Sequence, residues 1–316
     1  MEIIVRALTD QDKEAALRVE AGAMPDNKYL NEVWPLFTAG SDGDLLGAFV
    51  ANSLAGIGKI TRLYGDYGWL ETLRVHPDRQ RKGLGRAIWA GFFREIERMK
   101  IKSVGMYTEA ENVVSKGLAE QFGLSLSGFY REFRLALGGP DAAEQPAPQA
   151  GPGAASASVI SQQLQPGGGF FNDHSTFEPV PIAEGERALS GHYKKMPPHL
   201  VVNRTFYPAA EGLGRHLAQA GWLYRSREGD LLVAGNRFHA DRLLHVPYFS
   251  GRREPALAFA TRLAVENGAP ALSCLCPITR PGSSPVGAEG GSTVIELLQN
   301  SGFTPGSAFM TLWRDL

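Results

Sequence analysis

A run of small and polar residues in the middle of the chain limits the possible folds more than any other feature. Residues 138–169 are mostly Gly, Pro, Ala, Ser and Gln. Such a segment carries too little apolar surface to offset the entropy lost on ordering. We interpret 138–176 as a linker between two domains, at 1–137 and 177–316, each long enough to build its own core.

The overall composition argues against several classes of protein. The formal net charge is −1, which offers no general attraction for nucleic acid or an anionic membrane. No apolar run approaches the ~20 residues of a membrane helix, and the N-terminus has no signal-peptide pattern. The only two cysteines, Cys274 and Cys276, would point to the same face of a strand, without the further ligands of a zinc site. We therefore expect a cytoplasmic protein with no metal, nucleic acid or membrane partner.

Hydrophobic periodicity in the first half alternates between strands and helices, which indicates an α+β domain. Predicted strands cover 3–8, 45–51, 54–62, 67–75, 104–107, 126–130 and 131–137, and predicted helices follow 9–12 and cover 30–37, 83–99 and 112–122. Gly123 is a predicted helix C-cap.

The second half repeats the end of this plan. A helix at 256–266, a strand at 271–276, a helix at 293–300 and a strand at 309–313 follow in the same order. Residues 118–124 also align with 297–303, each containing a glycine before an apolar strand pattern. We interpret this order as a duplicated fold.

The segment most suggestive of chemistry lies between a predicted strand and a predicted helix. It reads Gln80, Arg81, Lys82, Gly83, Leu84, Gly85 and Arg86. The first turn of a helix has N–H groups without intrahelical acceptors, and glycines let the backbone approach an anion closely. With its positive charges, this segment suits a pyrophosphate.

Two other phosphate-binding motifs fail on spacing. A dinucleotide fingerprint needs a third glycine where the chain has Ile88, and a nucleoside-triphosphate loop needs a terminal Gly-Lys-Ser/Thr. A solvated basic turn before an amphipathic helix remains the simpler alternative.

These residues resemble the GNAT acetyltransferase superfamily, whose hallmark Gln/Arg-x-x-Gly-x-Gly/Ala is matched by Gln80, Gly83 and Gly85. Residues 70–77 resemble the family's fourth strand, and 122–124 the end of its fourth helix. The resemblance implies two GNAT-like domains, each a mixed, mostly antiparallel twisted sheet flanked by helices. The second domain resembles the family only in its order of elements.

The resemblance also implies a reaction and a cosubstrate. Acetyl-CoA would donate its acetyl group directly to a primary amine, with a backbone N–H of the fourth strand polarising the thioester carbonyl. The implied cofactor-binding residues are Leu73, Arg74, Val75, Gln80, Arg81, Lys82, Gly83, Leu84, Gly85, Arg86 and Asn112. Propionyl-CoA and succinyl-CoA remain open as donors.

The catalytic candidates are Glu71 as base and Tyr107 as acid. An alkylamine has a pKa near ~10.4 and must lose a proton before it attacks, so a carboxylate on the fourth strand is useful. Family members often use a tyrosine in the fourth helix as acid, but the matching position is Ala119. Alternatives are that Glu71 binds a substrate cation and that Tyr107 packs in the core. His76 is interpreted as part of a turn.

The second half lacks a cofactor cradle. Its matching loop, 245–255, has no paired glycines, and Glu254 would oppose a phosphate. The segment 212–215 copies part of the first motif without the preceding basic run. We therefore predict that the second half does not bind acyl-CoA.

The leading functional hypothesis is an N-acetyltransferase for a small-molecule amine, with the loops 24–29 and 42–46 setting specificity. A peptide or protein N-acetyltransferase is less favoured, because the linker and second domain could cover the acceptor cleft. A non-catalytic acyl-CoA-binding sensor or partner-binding protein is the alternative from a different class.

Overall fold

The computed structural model describes residues 2–25, 28–137, 177–238, 243–279 and 291–316. The predicted linker, 138–176, lies outside the described residues. The chain forms two compact units, of which the first comprises Met1–Ser127 with Thr311–Leu316 and the second Gly128–Met310. The division therefore falls ten residues before the predicted boundary at 137, and the end of the chain belongs to the first unit.

The first unit is a twisted sheet with helices. Its elements are β1 (Ile4–Ala7), α1 (Lys13–Ala23), α2 (Leu30–Thr38), β2 (Leu45–Val50), β3 (Ser53–Arg62), β4 (Tyr67–Val75), α3 (Leu84–Met99), β5 (Ser103–Glu109) and α4 (Val113–Gln121). Strands β1 to β4 are antiparallel neighbours in sequence order, whereas β5 pairs parallel to β4 after the α3 crossover.

The local sequence explains several of these elements. Asp12 accepts a hydrogen bond from the Thr9 backbone N–H (2.9 Å), which caps the turn leading into α1. Ala51 and Asn52 both adopt left-handed conformations and form the two-residue turn between β2 and β3. Gly123 has a φ of 83° directly after α4 and its C-cap, as predicted.

Helix α3 packs through the apolar stripe that its sequence predicted. Leu84, Ile88, Phe92 and Ile96 are all buried. A Cβ at Gly58 of β3 would lie 2.5 Å from the Phe92 ring, so this close approach of helix and sheet requires a glycine.

The second unit repeats the same supersecondary plan. Its elements are β6 (Ser125–Ala136, from Gly128 onward), β7 (Phe177–Pro179), α5 (Ile182–Ser190), β8 (His199–Val202), β9 (Thr205–Pro208), α6 (Leu213–Gln219), β10 (Leu223–Ser226), β11 (Leu231–Gly235), β12 (Leu244–Ser250), α7 (Arg253–Glu266), β13 (Ala271–Ile278), α8 (Gly291–Asn300) and β14 (Thr304–Asp315, to Met310). Strands β12 and β13 pair in parallel on either side of α7, as β4 and β5 do around α3.

The strands that end the two repeats depart from a simple duplication. Strand β6 follows α4 of the first repeat, yet it pairs with β13 in the second unit. Conversely, the last residues of β14 pair beside β5 in the first unit, where the Leu316 N–H donates to the Lys102 carbonyl (2.8 Å). The first unit therefore contains the end of the second repeat's last strand, and the second unit contains most of the strand that ends the first repeat.

One strand prediction was wrong. The predicted strands at 126–130 and 131–137 form the single strand β6, because Tyr130 and Arg131 provide no turn residue between them. None of the described helices is both long and apolar enough to cross a membrane.

Candidate functional site

A gap opens between β4 and β5 in the first unit. The parallel pairing begins at Tyr67 and Ser103 and ends at Leu70 and Met106. Beyond that point β4 continues to Val75 and β5 to Glu109. Backbone polar groups along these diverging edges can bind an extended, amide-containing ligand.

The gap begins at a β-bulge. Glu71 pairs with Lys59 and Arg74 with Ile57, so that Thr72 and Leu73 together oppose a single residue of β3. Thr72 has a φ of 61°, which is unusual for a β-branched residue. Its Oγ1 lies 2.7 Å from the Tyr29 hydroxyl, a hydrogen bond that helps to hold this strained conformation.

A buried ion pair ties the start of α2 to the bulge. Arg74 and Glu20 are 8% and 2% exposed, and their charged groups lie 3.6 Å apart. Glu20 also accepts hydrogen bonds from the N–H groups of Tyr29 (3.1 Å) and Leu30 (3.0 Å). The Arg74 guanidinium also stacks over the Tyr29 ring at 4.9 Å, so Glu20 and Tyr29 together hold this side chain.

The two predicted catalytic residues lie near Tyr29. Thr61 Oγ1 donates a hydrogen bond to Glu71 Oε1 (2.7 Å). The Tyr107 ring stacks on buried Trp69, with centroids 6.2 Å apart and planes 4° from parallel. Burial raises the pKa of the Tyr29 phenol; the positive charge of Arg74 opposes this rise, and Tyr107 and Glu71 add to it. These interactions bring Tyr29, Glu71 and Tyr107 into one neighbourhood.

Sequence reasoning missed Tyr29 and Thr72 as site residues. Tyr29 appeared only as the end of the predicted specificity loop, 24–29, of which Asp26 and Asn27 lie outside the described residues. Thr72 reads as an ordinary strand residue, since nothing local in the sequence marks a bulge.

The predicted pyrophosphate loop forms an exposed backbone nest before α3. Arg81 and Gly83 both have positive φ values, 57° and 83°, and the helix begins at Leu84. Alternating backbone conformations of this kind turn successive N–H groups toward a common point. Gln80 Nε2 donates to the Val75 carbonyl (3.3 Å), which links the loop to the end of β4, and Lys82 Nζ donates to the carbonyl of Asp78 (2.9 Å) in the turn between them.

The remaining predicted residues lie around the same gap. Leu73 and Val75 belong to the part of β4 that has diverged from β5. Asn112 is the N-cap of α4, where its Oδ1 accepts from the Ser115 N–H (3.0 Å), so its amide NH₂ is the group that can reach a ligand. Ala119 is fully buried in α4, and its methyl side chain has no proton to donate to a thiolate.

Carboxylates occupy the corresponding helix start in the second unit. Arg252, the residue before α7, pairs with Asp230 (3.0 Å) and Glu228 (3.0 Å). A Cβ at Gly251 would lie 1.9 Å from the Asp230 carboxylate. This arrangement is unfavourable for a bound phosphate.

In the segment 212–215, which copies part of the first motif, backbone N–H groups are already bound to side chains of the second unit. The Gly212 N–H donates to Glu186 (3.1 Å), and the Gly214 N–H donates to the Tyr193 hydroxyl (3.2 Å). Among the described residues, no group of three or more His, Cys, Asp or Glu side chains is arranged to hold a metal ion.

Comparison with known proteins gives a family match for the first unit. Residues 8–124 match the model of the acetyltransferase (GNAT) family. A search of curated proteins finds no match to this sequence.

Several solved structures have a similar fold, and the similarity extends over both units of this chain. A GCN5-related N-acetyltransferase from Sphaerobacter thermophilus has a TM-score of 0.58 at 13% identity, covering 99% of this chain and 95% of its own. One from Anabaena variabilis has a TM-score of 0.52 at 12% identity, covering 99% and 73%. One from Kribbella flavida has a TM-score of 0.50 at 14% identity, covering 100% and 71%. The predicted fold class, α+β with a mixed, mostly antiparallel twisted sheet and flanking helices, is confirmed.

Proposed function

Because residues 8–124 form a GNAT acetyltransferase domain and the chain is an enzyme of the acyltransferase class, we propose that it transfers acetyl from acetyl-CoA to a primary amine of a small molecule. The observation that carries this proposal is the gap between β4 and β5, which continues into the exposed nest at 81–86. Acetyl-CoA needs an open strand edge for its extended pantetheine arm and, beyond it, a nest of N–H groups for its pyrophosphate.

The proposed cofactor path follows from these groups. The N–H groups of residues 81–86 hold the pyrophosphate, assisted by the positive end of α3. The pantetheine arm pairs with β4 at Leu73–Val75 and meets the amide of Asn112. The thioester carbonyl then lies at the bulge, where a backbone N–H polarises it.

In the proposed reaction the amine attacks the acetyl carbon while both substrates are bound. Glu71 takes a proton from the ammonium group, directly or through a water, so that a neutral nitrogen forms the new C–N bond. The C–S bond breaks, Tyr107 protonates the departing thiolate, and the second proton that the nitrogen loses on becoming an amide passes through water to restore the Tyr107 phenol. Binding both substrates together removes much of the entropic barrier.

The proposal includes acetyl-CoA and an amine as reaction partners, without a metal, nucleic acid or membrane. We further propose a cytoplasmic site for the reaction. Cys274 and Cys276 are free thiols buried in a strand, which suits a reducing compartment.

The first test is thermal unfolding with and without acetyl-CoA, followed by transfer assays on a panel of amines. A ligand at ~100 times its dissociation constant stabilises a domain by ~2.7 kcal/mol. Gly83→Glu, which places a carboxylate in the nest, is expected to abolish this shift. Gly40→Glu is the control, because Gly40 also has a positive φ (72°) and no atom lies within 4 Å of its Cβ position.

The two assays separate the candidate functions. Stabilisation with transfer to an amine supports the enzyme, whereas stabilisation without transfer favours the acyl-CoA-binding sensor. The absence of any shift in the wild-type protein contradicts both.

A further inference from the structure

Trp313, near the end of the chain, packs directly on β5 of the first unit. A Cβ at Gly105 would lie 2.3 Å from the Trp313 indole, so the indole occupies the space that a side chain would fill. Gly105 precedes Tyr107 by two residues and therefore shares its face of the strand. The indole thus lies on the same face as the proposed acid.

An aromatic stack connects Trp313 with Tyr107. Trp69 is fully buried, and its ring lies 6.2 Å from that of Tyr107 and 5.9 Å from that of Trp313. The Tyr107 ring is nearly parallel to Trp69, whereas Trp313 is tilted by 41°. Because packed interiors leave few voids, Trp313 limits the orientations of Trp69, and Trp69 limits those of Tyr107.

Hydrogen bonds fix the terminal segment to the edge of the gap. Buried Thr311 donates its hydroxyl to the carbonyl of Met106 (3.0 Å), the last residue of β5 that pairs with β4. Trp313 Nε1 donates to Thr311 Oγ1 (3.1 Å). Arg314 reaches the carbonyl of Phe122 (2.7 Å) at the end of α4. The segment therefore holds β5 at the point where the gap begins.

We propose that Trp313 is a positioning residue for Tyr107, acting through Trp69 without touching either substrate. This inference rests on the proposed function, in which Tyr107 protonates the departing thiolate. A general acid must be aimed at the sulfur, and a misplacement of about 1 Å can cost about 10²-fold in rate. The last residues of the second repeat thereby contribute to catalysis in the first unit.

The test compares Trp313→Leu with the conservative Trp313→Phe. In Trp313→Leu we expect kcat to fall at least about tenfold, while KM for acetyl-CoA stays within about twofold, because the nest at 81–86 is unchanged. The alkaline limb of the kcat profile is expected to move, since it reports the acid. Trp313→Phe should restore most of the activity.

Trp222→Leu is the matched control for lost packing. Trp222 belongs to the second unit and lies against Gly235, whose Cβ would be 2.2 Å from the indole. Trp222→Leu should lower stability and leave kcat of the folded enzyme unchanged. The proposal is overturned if Trp313→Leu keeps the wild-type kcat and pH profile, or if Trp222→Leu loses kcat equally.

A second readout separates this inference from the proposed function. The packing of the Tyr107 ring is read from its aromatic NMR signals, assigned by comparison with Tyr107→Phe. We expect Trp313→Leu to shift those signals and Trp222→Leu to leave them in place. If the wild-type protein transfers no acetyl group, the proposed function fails; if the Tyr107 ring signals stay unchanged in Trp313→Leu, the packing connection between the two side chains is overturned whatever the activity.

Discussion

Replacing Gly83 with alanine tests whether the nest before α3 binds the cofactor through its backbone. The left-handed conformation at Gly83 (φ 83°) costs an L-residue about 1–2 kcal/mol. The nearest atom to a Cβ at this position is Ile3 Cδ1 at 3.8 Å, so the effect of Gly83→Ala comes from backbone strain and not from a collision. Relief of that strain would turn N–H groups away from a bound pyrophosphate.

The expected loss of affinity follows from the hydrogen bonds concerned. A hydrogen bond to a charged group contributes about 1.5–3 kcal/mol, so losing one weakens acetyl-CoA binding by roughly ten- to a hundredfold. Isothermal titration calorimetry measures this affinity, and urea unfolding measures stability. The control is Gly40→Ala, which has a similar φ (72°) in open space outside the nest.

Both alanine variants should lose similar stability, and only Gly83→Ala should lose affinity. If Gly83→Ala is destabilised by the expected amount and still binds acetyl-CoA with wild-type affinity, the nest is not the pyrophosphate site.

Three further predictions concern charged and titratable groups. Glu71→Gln should lower kcat by about 10²–10⁴-fold and remove the acid limb of the pH profile, because an amide cannot accept the proton; unchanged steady-state kinetics would exclude Glu71 as the base. Arg74→Met should destabilise the first unit by about 3–5 kcal/mol in urea, because it leaves the Glu20 carboxylate buried without its cation; a loss below about 1 kcal/mol would contradict this reasoning. Burial lowers the pKa of both His199 and His245 to about 4, so their contribution to stability is complete above about pH 6.5 and is lost as the pH falls toward 4. Urea midpoints measured across this range should fall less steeply for His245→Leu than for the wild-type protein, and parallel curves would show that His245 does not contribute.

Residues close together in sequence predicted much of the fold and the nest. The buried stripe of α3, the left-handed glycine at 123 that follows α4 and the glycines at 83 and 85 follow from local rules of periodicity and backbone conformation. The predicted strands at 45–51 and 54–62 correspond to β2 and β3, which form a hairpin with the turn at Ala51-Asn52. These features need only neighbouring residues, so a single sequence is sufficient to indicate them.

Other features of the site depend on residues that are distant in the chain. The bulge at Thr72 contacts Tyr29, 43 residues earlier, and the Arg74 guanidinium is held by Glu20. Neither partner has a spacing that a periodic pattern could reveal. Arg74 was predicted as a cofactor-binding residue because of its strand, whereas the direction of its side chain depends on a buried carboxylate from another helix.

The sequence alone indicated the order of elements in the first unit, the helix–strand–helix–strand order at the end of the second, and the basic, glycine-containing character of the segment 80–86. Only the tertiary structure decided which strand completes each unit. Strand β6 and the last strand β14 both mix apolar and polar residues, and no local pattern in either sequence indicates which strand it will pair with. That choice depends on side-chain packing, such as Trp313 against Gly105, between residues more than 200 positions apart. Long-range complementarity of this kind appears only when the whole chain is folded.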